Sequence, residues 1–542
     1  MKIAVVGASG NVGTAVLRAL HRDAEVTELV GISRRVPPQV EPYTDVEWHS
    51  IDVTAENAPE RLADAFAGAD AVIHLAWLIY PNHDRELIRR INVAGTEAVL
   101  DAVERADVRR VVVASSVGAY SVDAARQEVS GPEDTPPLRA EDFPARGVEG
   151  SHYSEDKGKV EELLEQFTAA HPDISVAWLR PGLIFQDDAA SEVQRFFLGA
   201  AMPVELLDKG SLPVLPLPKK MVTQGVHADD VAQAYLLAAK NPAATGPFNI
   251  CADDILHPQD FADILSNGRF IEVPPQVARA GMASAHKSGV LPADPGWLDM
   301  GLGVPLMDNA RAKSELGWQP ATSAKDALAS FTRAMIEGAG HPSPSLWALD
   351  DSERFVPALG LPMDDAVAAP TSGPRTEAGS DDNIERELVS TYLANHLAAQ
   401  RGTVERADQM TLNYQDTPVF KEIGEVAQAE RTDRAFLERV IKQLGLETKP
   451  TQSAAAWAGE KLGRFKPNGR AVSSSPLALL VESEALYAAA AAKHSLWRTL
   501  FLQADNLGLN ADACHALAKS AQKQLEATEA IHAYAAQTAF AD

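Results

Sequence analysis

The chain opens with Met1-Lys2-Ile3-Ala4-Val5-Val6-Gly7-Ala8-Ser9-Gly10-Asn11-Val12-Gly13. Residues 2–6 form a short apolar run, and an apolar repeat with helical spacing follows through Leu17 and Leu20. A buried strand, a glycine turn and a helix in this order are typical of a dinucleotide-binding cradle. The first thirteen residues therefore predict an α/β fold that begins at its nucleotide site.

The three glycines of this turn have separate tasks. Gly7 permits a tight turn, Gly10 allows the backbone to approach a pyrophosphate, and Gly13 allows the helix to pack closely on the strand. The phosphates would lie at the helix N-terminus, where free N–H groups favour anions. The cofactor contacts predicted in this turn are Gly7, Ser9, Gly10, Asn11, Val12 and Gly13.

Apolar runs and helical patterns alternate through the first 340 residues. Strands are predicted at Lys2–Val6, Glu28–Ile32, Ala71–Leu75, Arg110–Ser115 and Ser175–Arg180. Helices are predicted at Val12–Leu20, Ala58–Ala67, Arg85–Arg105 and Tyr153–Thr168. This series predicts a Rossmann-like, doubly wound parallel sheet. From about Gln194 the pattern becomes irregular and rich in Pro, as in a small substrate lobe.

The end of the second predicted strand bears on the choice between NAD and NADP. A carboxylate there would bind ribose hydroxyls, whereas Arg would bind a 2′-phosphate. The chain reads Gly31-Ile32-Ser33-Arg34-Arg35, without a carboxylate. We therefore expect NADP to contact Ser33, Arg34 and Arg35, with NAD possible, and a solvated basic turn is the alternative. Asp52-Val53, after the third strand signal, is expected to meet the adenine.

A Tyr and a Lys lie four residues apart in Tyr153-Ser154-Glu155-Asp156-Lys157. This spacing places both side chains on one face of a helix. A nearby ammonium favours the phenolate and lowers the pKa of a phenol. A bound dinucleotide can transfer a hydride while an activated Tyr beside it transfers a proton, so the two motifs together indicate coupled hydride and proton transfer.

Residues 1–340 resemble the extended short-chain dehydrogenase/reductases, the NAD-dependent epimerase/dehydratase group. The order and spacing of several segments carry the resemblance. They are the glycine turn, Asp52-Val53, His74-Leu75-Ala76, Asn92-Val93-Ala94-Gly95-Thr96, Ser115-Ser116-Val117-Gly118-Ala119-Tyr120, Tyr153 with Lys157, Arg180-Pro181-Gly182, Val226-His227-Ala228-Asp229-Asp230-Val231 and Leu316-Gly317-Trp318-Gln319-Pro320.

The resemblance implies roles for three residues. Tyr153 would be the general acid/base, and Lys157 would lower its pKa and hold the nicotinamide ribose. Ser116, chosen over Ser115 by its spacing to Tyr120, would donate a hydrogen bond to the substrate oxygen. Further cofactor contacts are implied at Leu75, Ala76, Trp77, Asn92, Ser115, Tyr153, Lys157, Pro181 and Gly182.

Departures from the family pattern concern the substrate. Gly182 follows the Arg-Pro pair, where family members that act on nucleotide sugars often have Asn. The loop at residues 77–81, Trp-Leu-Ile-Tyr-Pro, is apolar and aromatic. Such a wall suits a small, rather apolar carbonyl or alcohol substrate, although packing alone would also explain it. The alternatives are a nucleotide-sugar epimerase/dehydratase and a non-catalytic NADP-sensing scaffold.

The remainder of the chain is expected to be a linker, residues 341–380, and a helical bundle, residues 381–542. Long helices are predicted at Asn383–Met410, Val419–Leu444, Leu477–Ala504 and Ala511–Phe540, with a shorter one at Ser453–Phe465. The bundle resembles ferritin-like domains in outline. Glu529-x-x-His532 supplies only half of a di-iron ligand set. We therefore expect no metal.

Composition limits the possible partners. The 542 residues carry a formal net charge of −26, which argues against nucleic acid and anionic membranes. The two Cys are expected to be reduced, and the start of the chain does not resemble a signal peptide. We expect a cytoplasmic enzyme with a small-molecule substrate. A homodimer, and docking of the bundle on the first domain or on a protein partner, stay open.

Overall fold

The computed structural model describes residues 1–79, 85–128, 134–198, 214–219, 221–287, 291, 293–343, 345–346, 355–356, 361–362, 366–367, 385–414, 417–446 and 477–540. The chain forms two compact units. The first comprises Met1–Pro81 and Arg85–Ala348, and the second includes Leu349–Asp542. No helix of the described residues is long and apolar enough to cross a membrane.

Seven parallel strands form the sheet of the first unit, which confirms the predicted fold class. The strands of this unit are β1 (Lys2–Val6), β2 (Glu28–Ser33), β3 (Glu47–Ser50), β4 (Ala71–His74), β5 (Arg110–Ala114), β6 (Leu138–Arg139), β7 (Ser175–Pro181), β8 (Leu183–Phe185), β9 (Leu215–Pro218), β10 (Gly225–His227), β11 (Gly246–Ile250), β12 (Phe270–Val273) and β13 (Leu306–Met307). The order in the large sheet is β11-β7-β5-β4-β1-β2-β3. Strand order reverses between β1 and β4, where ligands bind in doubly wound sheets.

Helices follow the strands, and the four helices predicted for this unit are among them. They are α1 (Asn11–Arg22), α2 (Ala58–Phe66), α3 (Arg85–Arg89), α4 (Gly95–Arg105), α5 (Ala125–Glu128), α6 (His152–Ala170), α7 (Ala190–Val193), α8 (Ala228–Lys240), α9 (Pro258–Leu265), α10 (Pro275–Lys287), α11 (Pro295–Gly303) and α12 (Ala324–Ile336). The helix predicted at Arg85–Arg105 contains a π-helical turn at Arg90–Ala94. This turn carries Asn92, one of the predicted cofactor contacts.

The sheet is buried on both faces, because alternate residues of each strand enter separate cores. Ile3 and Val5 of β1 pack with α1 and α8, while Ala4 and Val6 pack with α2, α4 and α6. Near-continuous apolar strands are therefore needed, as the sequence shows.

A smaller lobe of the first unit is built on short strand pairs. Its two-stranded parallel pairs are β8 with β10 and β9 with β12. A separate core around Phe185, Phe261 and Phe331 supports it. The lobe predicted from the irregular pattern after Gln194 therefore draws on residues as late as α12.

The second unit is mainly helical. Its elements are β14 (Phe355–Val356), β15 (Leu361–Pro362), α13 (Arg386–Asn413), α14 (Phe420–Gln443), α15 (Leu477–Leu502), α16 (Ala504–Leu507) and α17 (Ala511–Thr538). The four long helices confirm the predicted helical domain, and their two apolar cores lie at opposite ends of the bundle. The short helix predicted at 453–465 falls outside the described residues, as does most of the predicted linker.

Candidate active site

The glycine turn leaves no room for side chains at two of its glycines. Gly7 has φ +87°, and a Cβ there would lie 2.6 Å from the backbone nitrogen of Ala76. A Cβ on Gly13 would lie 2.3 Å from the carbonyl oxygen of Gly7. The Oδ1 atom of Asn11, at the start of α1, is buried without a hydrogen-bond partner. A turn of this shape at a helix N-terminus fits a dinucleotide pyrophosphate.

The basic pair follows β2 at the same edge of the sheet. Two hydroxyls fix its backbone, since Ser33 donates to the carbonyl of Arg35 at 2.7 Å and Ser50 to that of Arg34 at 2.8 Å. Burial lowers the pKa of Arg35 to about 10, and the charge of Glu192 partly opposes this. The Arg35 guanidinium therefore stays charged at neutral pH.

Two predicted cofactor contacts are engaged with the protein itself. Oδ1 of Asp52 accepts hydrogen bonds from the backbone nitrogen and the hydroxyl of Thr54, both at 2.8 Å. The amide of Asn92 accepts from the Leu78 nitrogen at 2.7 Å and donates to the Leu78 oxygen at 3.0 Å. Val53 is buried. These contacts indicate that Asn92 holds the loop after β4, which carries Trp77.

Four further predicted contacts lie at the carboxyl ends of β4 and β7. The Leu75 nitrogen donates to the Val6 oxygen at 2.8 Å, so Leu75 and Ala76 continue beside the glycine turn. Pro181 is the last residue of β7. A Cβ on Gly182 would lie 2.6 Å from the carbonyl oxygen of Gln224, which explains why Gly stands at this position.

Tyr153 lies in the first turn of α6 and is partly buried. Ser116 forms a hydrogen bond with its phenol, while the Ser116 oxygen accepts from the Gly118 nitrogen at 3.0 Å. Burial raises the pKa of Tyr153 to about 12, and the Ser116 bond opposes it only in part. The phenol therefore holds its proton at neutral pH.

The Lys157 ammonium group contacts a backbone carbonyl and an aromatic ring. Its Nζ atom donates to the Ala114 oxygen at 2.8 Å and lies 3.3 Å from the ring centroid of Trp77. The distance to the Tyr153 ring centroid is 5.9 Å. Burial dominates the pKa of Tyr153 in this structure, and the role of Lys157 in lowering that pKa stays a prediction.

Burial also lowers the pKa of Lys157, to about 7. The unfolded chain therefore binds more protons than the folded chain between about pH 7 and the ordinary lysine pKa of 10.5, and stability must rise with pH across this window. We expect the Tm of the wild type, relative to Lys157→Met, to increase from pH 7 to pH 9. The control is Lys159→Met, which removes a half-exposed lysine from the same helix. Parallel Tm profiles for wild type and Lys157→Met would contradict this.

A buried carboxylate fixes the helix that carries both residues. Glu161 accepts from Arg180 through Nε at 2.8 Å and Nη2 at 2.5 Å, and also from the Ser115 hydroxyl. Ser115, predicted as a cofactor contact, thus has its side chain on Glu161. The sequence reasoning missed Glu161, although it follows Lys157 by four residues, as Lys157 follows Tyr153.

Aromatic rings flank the Tyr153 phenol. Its ring centroid lies 4.8 Å from that of Trp297 in α11 and 5.9 Å from that of Trp77. Phe197 meets Trp297 edge-on at 4.9 Å. A Cβ on Gly118 would lie 2.8 Å from Tyr153 Cε1, so the ring is closely packed there too. Trp297 and Phe197 come from the irregular region, where no local pattern identified them.

The helical unit contains a second buried polar cluster, and its centre is an ammonium group. The Nζ atom of Lys493 lies 2.7 Å from Glu430, 2.9 Å from Asp433 and 2.6 Å from the Gln524 oxygen. Burial alone would lower the pKa of Lys493, but the two carboxylates raise it. Among the described residues, no group of three or more His, Cys, Asp or Glu is arranged to hold a metal ion.

Comparison with known proteins relates the first unit to one family. Residues 3–251 match the sequence model of the NAD dependent epimerase/dehydratase family. An uncharacterized protein of Mycobacterium tuberculosis is 28% identical over 405 residues, which are 73% of this chain and 38% of that protein.

Two named enzymes match shorter stretches. L-arabinose 1-dehydrogenase (NAD(P)(+)) of Haloferax volcanii is 34% identical over 131 residues, 23% of this chain and 47% of the enzyme. N-acetyl-alpha-D-glucosaminyl-diphospho-ditrans,octacis-undecaprenol 4-epimerase of Escherichia coli O157:H7 is 28% identical over 185 residues, 34% of this chain and 49% of the enzyme. The chain thus spans less than half the length of these three curated relatives.

Proposed function

Because residues 3–251 match the sequence model of the NAD dependent epimerase/dehydratase family, we propose that this chain is an NAD(P)-dependent enzyme acting on a small, rather apolar substrate. The reaction is hydride transfer at a carbonyl or alcohol carbon, with Tyr153 as general acid/base. The bound dinucleotide supplies or accepts the hydride. The protein binds it, excludes water and moves the proton.

The observation that carries this proposal is the partly buried Tyr153 with Ser116 at its phenol and buried Lys157 on the same helix. A phenol that holds its proton at neutral pH can donate it to a carbonyl oxygen as negative charge develops there. Ser116, bonded to the phenol, can steady the same oxygen. Lys157 lies one helical turn away and can hold the ribose of the cofactor.

The surroundings of Tyr153 support an apolar substrate. Trp77 and Trp297 flank its ring, and Val148 and Met300 join the same cluster. Apolar walls with a few convergent polar groups are typical of sites for small organic molecules. A sugar diphosphate would instead need cations near its phosphates.

We further propose that NADP is preferred over NAD. Arg34 and Arg35 can make charge-assisted contacts with a 2′-phosphate, and such bonds contribute about 1.5–3 kcal/mol. We expect NADPH to bind at least about tenfold more tightly than NADH, and Arg34→Ala/Arg35→Ala to remove the difference. Calorimetric titration of both cofactors measures this. Exposed Arg22, at the end of α1, gives the control Arg22→Ala. Equal affinities in the wild type would contradict the NADP preference.

The family name itself favours a second candidate, a nucleotide-sugar epimerase or dehydratase. Such an enzyme regenerates its cofactor, so net consumption of reduced cofactor separates the two functions. The full chain should be assayed with NADPH or NADH against small aromatic and aliphatic aldehydes and ketones, and against nucleotide sugars. Net oxidation with a small carbonyl compound supports the proposal. Conversion of a nucleotide sugar without net oxidation supports the second candidate. Cofactor binding without any conversion would favour a sensing scaffold.

A further inference from the structure

The segment after α12 returns to the glycine turn at the start of the chain. Ser343 is fully buried, and its hydroxyl donates to the carbonyl oxygen of Ser9 at 2.6 Å. The backbone nitrogen of Ser345 donates to the hydroxyl oxygen (Oγ) of Ser343 at 3.2 Å, which holds this hydroxyl in place. Ser343 therefore contacts the cradle although it lies far beyond the family match, which ends at residue 251.

The segment is anchored on both sides of Ser343. The backbone nitrogen of His341 donates to the backbone oxygen of Leu346 at 2.7 Å, so these two residues are held together. The His341 ring meets Tyr43 edge-on, with the centroids 5.3 Å apart, and Leu346 is fully buried. A loop packed in this way can hold a hydroxyl at a fixed position.

The bond to Ser9 acts on a single peptide plane. Because the peptide is planar, fixing the Ser9 carbonyl also fixes the Gly10 N–H, which donates to the Gly7 oxygen at 3.1 Å. The next carbonyl, that of Gly10, accepts from the Thr14 hydroxyl at 2.8 Å. Successive peptides of the turn are thus held by groups of the protein itself.

We propose that residues 341–343 and 345–346 form a clasp, with Ser343 as a positioning residue that holds the glycine turn in its dinucleotide-binding shape. This rests on the proposed function, because the turn is taken to bind the cofactor. A preorganised turn binds more tightly, since less ordering remains to be done on association. The clasp acts on cofactor affinity and does not touch the reacting atoms.

Ser343→Ala in the full chain is expected to weaken NADPH binding by about three- to tenfold, the ratio that corresponds to one ordinary hydrogen bond. The kcat at saturating cofactor should stay within about twofold, because Tyr153 is unaffected. Ser343→Thr keeps the hydroxyl and should restore part of the affinity. The matched control is Ser175→Ala, since Ser175 donates to the Ala244 oxygen at 2.9 Å at the other end of the sheet.

A second measurement does not depend on cofactor binding. Hydrogen exchange of the Gly10 and Asn11 amides in the cofactor-free chain should be faster in Ser343→Ala than in wild type and Ser175→Ala. Unchanged exchange, or an equal loss of affinity in Ser175→Ala, would overturn the clasp. If the wild type binds neither NADPH nor NADH while Ser343→Ala exchanges faster, the proposed function fails and the clasp on the turn remains.

Discussion

Replacing Tyr153 with Phe is expected to lower turnover by about 10²–10⁴-fold, the usual contribution of a general acid/base. Tyr153 is partly buried, and burial raises the pKa of its phenol to about 12, so the change removes a protonated hydroxyl, the proposed proton donor. The ring itself stays, and its packing against Trp297 and Trp77 is kept. NADPH affinity should therefore remain close to that of the wild type, as measured by titration.

Tyr120→Phe is the matched control for losing a buried hydroxyl in the same unit. Its phenol donates to Asn249 Oδ1 at 2.8 Å, so this change should lower the Tm but leave kcat within a few-fold of wild type. Turnover is followed as oxidation of reduced cofactor with any substrate that the wild type converts. Full activity in Tyr153→Phe would remove Tyr153 from the mechanism.

Replacing Lys493 with Met is expected to lower the free energy of unfolding of the helical unit by about 3–5 kcal/mol. Lys493 is 2% exposed, and Glu430 and Asp433 are each 1% exposed. Without the ammonium, these two carboxylates would remain buried and uncompensated, which is strongly unfavourable. Burial already raises the pKa of Glu430, so the variant should favour protonated carboxyl groups.

Calorimetry on the full chain measures this effect. The control is Arg498→Met, which removes an exposed cation from the same helix and should change the Tm little. The triple variant Lys493→Met/Glu430→Gln/Asp433→Asn leaves no buried charge in the cluster and should recover much of the loss. If Lys493→Met and Arg498→Met had equal free energies of unfolding, the buried ion pairs of Lys493 would contribute nothing to stability.

The sequence predicted those features that depend on neighbouring residues. β1, the glycine turn and α1 follow from apolar periodicity and from the steric need for Gly at positions 7 and 13. The same is true of the four long helices. These patterns are local, so the structure changes their bounds by only a few residues.

Contacts between distant residues could not be predicted in this way. The i,i+4 spacing placed Lys157 and Tyr153 on one helical face. The ammonium of Lys157, however, contacts the Ala114 carbonyl and the Trp77 ring, and these residues are distant from it in sequence. Glu430 and Asp433 were visible as a pair of acids three residues apart. Their partner Lys493 lies on a different helix, and no local pattern reveals it.

The hydrogen bond between Ser9 and Ser343 joins residues 334 positions apart. During synthesis, at about 5–20 residues per second, these two residues emerge on the order of 20–70 s apart. Trp318, fully buried in the core that also contains Ile3 and Val5, imposes a similar delay. β1 and the glycine turn therefore remain incompletely packed until nearly two thirds of the 542 residues have left the ribosome. During that interval the apolar first strand depends on chaperones or on transient contacts to avoid pairing with other chains.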